Sequence, residues 1–221
     1  MPLAVFDVNE TMLDLGVLDS FFIHHFGDLE SKDLWFSRTL HHKAVVNLIG
    51  RHQSMGRLSV AALDSVAQTR KVDLPDDAGQ ELATAMERMR PYPDVKPALE
   101  ELREAGWTLM ALTNSSPSVV QTGLRNAGIL ANFDAVHTAE EVGKFKPAPE
   151  PYRTVIAAAA MPIDETWMVA AHDWDLAGAH GVGMRTAFVR RPGMPLSPAY
   201  ETPDIEVGDF VELAKALRDT R

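Results

Sequence analysis

After Pro91-Tyr92-Pro93, short apolar runs of strand length alternate with segments of helical period, and no other feature limits the possible folds as much. Such alternation buries both faces of a mostly parallel sheet under helices, which predicts a doubly wound, Rossmann-like α/β core. Strands are expected at 108–113, near 135–136, at 168–171 and at 186–189. Helices are expected at 95–105, ended by Gly106, at 118–127, ended by Gly128, and around 151–160 and 176–179. The apolar run from Leu3 to Phe6 adds one more buried strand, with Asp7 at its C-terminal end. Between about Leu15 and Arg90 the pattern is different. Apolar residues recur at helical spacing through Leu34-Trp35-Phe36, Leu40, Val45-Val46, Leu48-Ile49, Leu58, Ala61-Ala62 and Val66. The expected organisation is a core of residues 1–14 and 91–221, with an α-helical bundle cap, residues 15–90, inserted after the first strand. A Pro-containing loop, 192–203, precedes a last short strand and helix.

Composition narrows the partners. With 31 acidic against 21 basic residues, a formal charge of −10 repels phosphate backbones and anionic lipid, so neither nucleic acid nor a membrane is expected. An anionic small substrate would need a local positive charge in its pocket. No cysteine occurs, which excludes disulfides, thiolate metal sites and a cysteine nucleophile, and suits a reducing cytoplasm. The first apolar run is broken by Asp7 and has no basic residues before it, so neither a signal peptide nor an anchor is expected, and a cytoplasmic location is.

Four clusters fall where sheet strands should end: Asp7 to Thr11, Thr113-Asn114-Ser115, Lys144 to Tyr152, and Ala170 to Asp175. Open α/β sheets bind ligands at that edge. Taken singly, each cluster has a plain explanation. An Asp after a strand commonly caps a helix, Thr113-Asn114 could begin a capped helix, a lysine in a loop is normally solvated, and Asp175 could be an N-cap. The ordered set of four is far more specific.

Phe6-Asp7-Val8-Asn9-Glu10-Thr11-Met12-Leu13-Asp14, Leu112-Thr113-Asn114-Ser115, Lys146-Pro147 and Ala170-Ala171-His172-Asp173-Trp174-Asp175 resemble the four motifs of the haloacid dehalogenase superfamily. The resemblance extends over essentially the whole chain, including the helical cap. It implies that Asp7 is a nucleophile oriented by Thr11. It also implies that Thr113 and Asn114 hold the nucleophile or substrate by hydrogen bonds, and that Lys146 is the cation beside the nucleophile.

Most of that superfamily transfers phosphoryl groups with Mg²⁺, using a second Asp two residues after the nucleophile and an acidic residue four before the last Asp. Here those positions hold Asn9 and Ala171, the latter preceded by Ala170, and none of these residues supplies the acid or the carboxylate ligand. A halide leaving group needs neither. Tyr152, six residues beyond Lys146, and Trp174-Asp175 are similar to the L-2-haloacid dehalogenases. The resemblance therefore implies hydrolysis of short 2-haloalkanoic acids to 2-hydroxy acids through an ester on Asp7, with no cofactor and no metal. Water positioned by Asp175, with His172 as a second candidate, would cleave the ester. Val8, Asn9, Trp35, Phe36, Ser115 and Trp174 are the residues expected against substrate. The alternatives are a phosphatase with a metal site rearranged around His172 and Asp173, or a binding protein that keeps the fold without turnover. A homodimer is implied by resemblance alone.

The pattern departs from those dehalogenases at three places. They carry an Arg directly after a cap Trp, where it assists halide departure, whereas Trp35 is followed by Phe36. Arg38 lies ~200° further round a helix, while Lys32 and Lys43 face more nearly the required way. His172 stands where they have Asn, and Ala170 and Ala171 replace small hydroxyl residues. The pairs His24-His25 and His41-His42 are expected on the cap surface or in interhelical hydrogen bonds, because adjacent helical histidines point ~100° apart. Arg190-Arg191-Pro192-Gly193 reads as a solvated turn.

Overall fold

The computed structural model describes residues 2–220. In chain order its regular elements are β1 (Leu3–Phe6), β2 (Leu13–Asp14), α1 (Asp19–Phe26), α2 (Glu30–Ile49), α3 (Met55–Arg70), α4 (Ala78–Met86), β3 (Arg90–Pro91), α5 (Val95–Glu104), β4 (Thr108–Thr113), α6 (Pro117–Asn126), β5 (Ala135–Thr138), α7 (Pro149–Ala159), β6 (Thr166–Ala170), α8 (Asp173–His180), β7 (Arg185–Val189), β8 (Ile205–Val207) and α9 (Phe210–Arg218). Six strands form one sheet in the order β5-β4-β1-β6-β7-β8, and every neighbouring pair is parallel. The fold is the expected doubly wound sheet.

Its two faces follow from strand periodicity. Leu3 and Val5 point with Met110, Leu112, Met168 and Phe188 into one apolar layer, covered by Tyr152 and Val155 of α7 and Leu176 of α8. Ala4 and Phe6 point the other way, with Leu109, Ala111 and Val169, towards α5, α6 and α9. β1 is completely buried because it lies at the centre of the sheet with both faces covered, and this places Asp7 at the middle of the sheet's C-terminal edge.

The helices α1–α4 run between two short strands that pair antiparallel, Leu13 opposite Pro91 and Asp14 opposite Arg90. α2 packs along α3 and ends at Gly50, whose φ of 66° glycine adopts without steric cost. The end of α2 is tied to the core by Asn47, which donates to the Phe145 carbonyl at 2.7 Å and accepts from the Phe145 N–H at 3.0 Å. That tie fixes the loop carrying Lys146. Both histidine pairs behave as expected: His25 meets Glu81 across α1 and α4 at 2.9 Å, and His42 Nδ1 lies 3.4 Å from the Leu58 carbonyl.

Two local differences bear on the site. α8 begins at Asp173 rather than near residue 176, so Trp174 and Asp175 occupy its first turn. Polar side chains there hide the apolar period, while acidic groups suit a helix N-terminus. Arg191, expected in a solvated turn, is instead buried. Its guanidinium stacks on Tyr92, donates to the Thr11 carbonyl at 3.0 Å and pairs with Asp94 at 2.9 Å. Arg190 beside it is exposed and pairs with Glu206. Among the described residues no helix is long and apolar enough to cross a membrane.

Candidate active site

Parallel pairing brings the ends of β1, β4 and β6 side by side, and the loops that follow them meet around Asp7. The Lys146 ammonium is fully buried and uses its donors on Asp7 Oδ1 at 2.8 Å, Asp175 Oδ2 at 2.6 Å and the Leu112 carbonyl at 2.8 Å. Burial opposes its charge, but Asp175 and Asp7 outweigh that and hold its pKa above the ordinary lysine value. Thr11 donates to Asp7 Oδ2 at 2.7 Å and accepts from the Ala171 N–H at 2.9 Å, so its hydroxyl has a single direction. Burial would protonate Asp7; Lys146 and His172 overcome it and keep the carboxyl well below the usual carboxylate range.

His172, immediately before α8, lies with Nδ1 3.0 Å from Asp7 Oδ2 and Nε2 3.0 Å from Glu10 Oε2. Two ionised carboxylates facing both ring nitrogens require two N–H donors, which only the imidazolium has. Burial works against that charge, yet the bonds to Asp7 and Glu10 raise its pKa to about 9. Phe36 stacks on the ring, with centroids 5.6 Å apart and planes 17° apart, and Trp174 packs against it at 5.0 Å. The position held by an Arg in the L-2-haloacid dehalogenases thus carries the ring that steadies His172.

Several residues sit otherwise than expected. Asp175 accepts from Tyr152 at Oδ1, 2.6 Å, and from Lys146 at Oδ2, and is fully buried. It positions the lysine and has no surface open to water. Asn114 binds the Lys146 backbone twice, accepting from its N–H at 2.8 Å and donating to its carbonyl at 3.3 Å, rather than touching Asp7. Thr113 turns its hydroxyl to the Ser115 N–H at 3.1 Å. Thr113 ends β4 and Asn114 follows it, where the turn into α6 leaves local backbone groups to satisfy. Asn9 donates to Ser115 Oγ at 3.2 Å. Val8 packs its side chain into the core, and Trp35 is a buried residue of α2 whose indole N–H is spent on the Ser59 carbonyl at 3.0 Å. Asp173 bonds the N–H groups of Trp174 and Ser197, turned away from Asp7.

The motifs give Glu10 no role, and helix spacing puts Lys43 only near the Phe36 position. Glu10 looks like a solvated loop acid, and only its backbone, at φ 61°, and its contact with His172 mark it. Lys43 is buried on α2 with its ammonium 5.1 Å from the Trp174 ring centroid, and among the described residues it has no ion pair. Burial, reinforced by Lys146, pushes its pKa down to about 8, against the pull of Asp7, Asp175 and Glu10. The legible signal was spacing, since seven residues beyond Phe36 return to within about 20° of the same helix face. A cavity of about 240 Å³ lined by Glu10, Trp35, Phe36, Lys32 and Met194 opens beside this cluster.

The residues do not fit a divalent metal: both oxygens of Asp7 are already bound to cationic groups, and among the described residues no three acidic or histidine side chains converge as ligands. What the arrangement offers is a carboxylate kept ionised, one oxygen of which, Oδ1, has a single donor, beside an unpaired buried cation.

The chain is 25% identical over 206 residues to haloacetate dehalogenase H-2 of Moraxella sp. (strain B), covering 91% of each chain. It is 25% identical to (S)-2-haloacid dehalogenase 1 of Pseudomonas sp. (strain CBS-3), covering 97% of this chain and 95% of the other. Its fold superposes with a TM-score of 0.92 over 100% of both chains, at 23% identity, on the L-2-haloacid dehalogenase of Xanthobacter autotrophicus solved with chloropropionic acid covalently bound. Residues 1–183 match the model of the haloacid dehalogenase-like hydrolases, and with that share of its length matched the chain belongs to that family.

Proposed function

We propose that this protein hydrolyses the carbon–halogen bond of short 2-haloalkanoates, with residues 15–90 as a cap over the site. The observation that carries the reading is the Asp7 carboxylate, held ionised by Lys146 and His172, with the amide of Asn9 rather than a carboxylic acid two residues after it. Asp7 Oδ1 attacks C2, the C2–halogen bond breaks with its electrons leaving on the halide, and an aspartyl ester forms with inversion at a chiral C2. Lys43 is the cation for the substrate carboxylate, since its charge is buried and unpaired. Water then attacks the Asp7 ester carbonyl and the 2-hydroxy acid departs. The relatives named for haloacetate and 2-haloacid dehalogenation support the substrate class.

The test is halide release from chloroacetate, bromoacetate, fluoroacetate and 2-chloropropionate in excess EDTA, run beside phosphate-ester hydrolysis with Mg²⁺. Halide release that persists in EDTA is expected. Phosphate release with Mg²⁺ and no halide from any haloacid would refute the reading.

A further inference from the structure

The surroundings of Asp7 differ on its two sides. In the sheet, β4 and β6 flank β1 from opposite directions. After β6 come His172 and Trp174, with the Lys43 ammonium over the indole ring; the cavity of about 240 Å³ beside them carries the charged side chains Glu10, Lys32 and Asp33. After β4 the wall is different. A larger cavity, of about 410 Å³, lies there, bounded by Met55 and Gly56 of α3, Ala83 and Met86 of α4, and Ser115 and Val119 on the way into and along α6. Asn9, two residues past the nucleophile, donates to Ser115 Oγ at 3.2 Å, so this wall is one hydrogen bond from the loop that follows Asp7.

We propose that the larger cavity receives the alkyl tail of the 2-haloalkanoate, so that the preferred substrates carry a butyl-sized group on C2 rather than the hydrogen of a haloacetate. This rests on the dehalogenation reading above. Charge decides which end of the substrate goes where. Among the described residues the cavity's wall holds one charged group, Asp76, which is an acid; it disfavours a carboxylate and leaves that group to Lys43 on the β6 side. With Asp7 Oδ1 attacking opposite the halide, the other three substituents of C2 spread around the line of attack. A carboxylate drawn towards Lys43 therefore turns the alkyl group, in one configuration at C2, towards β4 and the cavity.

The wall suits a flexible apolar chain. Met55 and Met86 are unbranched and adapt their shape to what they touch. The glycines fall into two kinds. At Gly79 a Cβ would lie 3.0 Å from Val60 Cγ2, so α4 sits against α3 there and the space is already closed. At Gly56 a Cβ would meet no atom within 4 Å, so a side chain added there enters open space. Each CH2 moved from water into such surroundings raises kcat/KM by roughly 3- to 4-fold.

The experiment measures bromide release from 2-bromopropionate and 2-bromohexanoate, which differ by three CH2 groups. In wild type, kcat/KM should favour 2-bromohexanoate by roughly 30- to 60-fold. Gly56→Phe and Ala83→Phe add bulk from α3 and from α4, each at an exposed position, so that one variant guards the test against misfolding of the other. In either variant, shown to be folded by circular dichroism, the ratio should fall below about 5. A wild-type ratio of one or less, or the wild-type ratio kept in both variants, overturns the tail pocket and leaves dehalogenation standing. Absence of bromide from bromoacetate and from both longer acids overturns the dehalogenation reading itself, and this inference with it.

Discussion

Lys43→Met keeps an unbranched apolar stem at a buried position and deletes only the charge. Burial chiefly, with repulsion from Lys146, brings the lysine from 10.5 to about 8. At ~1.36 kcal/mol per pKa unit, holding the charged form in the folded protein costs about 3 kcal/mol relative to the unfolded chain. The sign follows from proton counting. Between pH 8 and 10.5 the unfolded lysine stays protonated while the folded one does not, so wild-type stability should rise with pH across that window. The variant lacks that rise. Urea unfolding at a series of pH values should find Lys43→Met more stable by about 3 kcal/mol below pH 8, the advantage fading towards pH 10.5. The same variant should have a KM for 2-chloropropionate raised roughly 10- to 100-fold, because a charge-assisted bond to the substrate carboxylate is lost. A variant less stable than wild type at neutral pH, or one with unchanged KM, would refute the assignment of Lys43 as a strained anion-binding cation.

Asp7→Asn should abolish turnover and leave no adduct in the mass spectrum. NMR titration should find His172, near 9 in the wild type, at least about one unit lower in that variant, because a facing negative charge is gone. Tyr152→Phe strips a donor from fully buried Asp175 and should destabilise the fold by about 1–3 kcal/mol in urea unfolding. Arg191→Met leaves Asp94 without its ion pair and the Thr11 carbonyl without a donor; a loss of about 3 kcal/mol in urea unfolding is expected, with a fall in kcat as the Thr11 hydroxyl shifts from Asp7.

The sequence alone determined the parts of this protein that local pattern encodes. Apolar runs and helical periods placed β1, β4 and β7 and the helices around them, because burial on both faces demands apolar strands. The motif order brought Asp7, Thr11, Lys146, Tyr152, His172 and Asp175 to one edge, and the structure gathers them there. Tertiary structure decided who bonds to whom. Lys146 and Asp7 are 139 residues apart, and their 2.8 Å contact depends on strand order and crossover, which no local window contains. For the same reason Asp175 is closed off by Tyr152, Asn114 grips the Lys146 backbone, Arg191 is buried under Tyr92, and Glu10 and Lys43 both reach the site. A charged residue in sequence carries no sign of burial. Only packing, by removing water and supplying or withholding a partner, made one lysine an anchor and the other an unpaired cation beside the nucleophile.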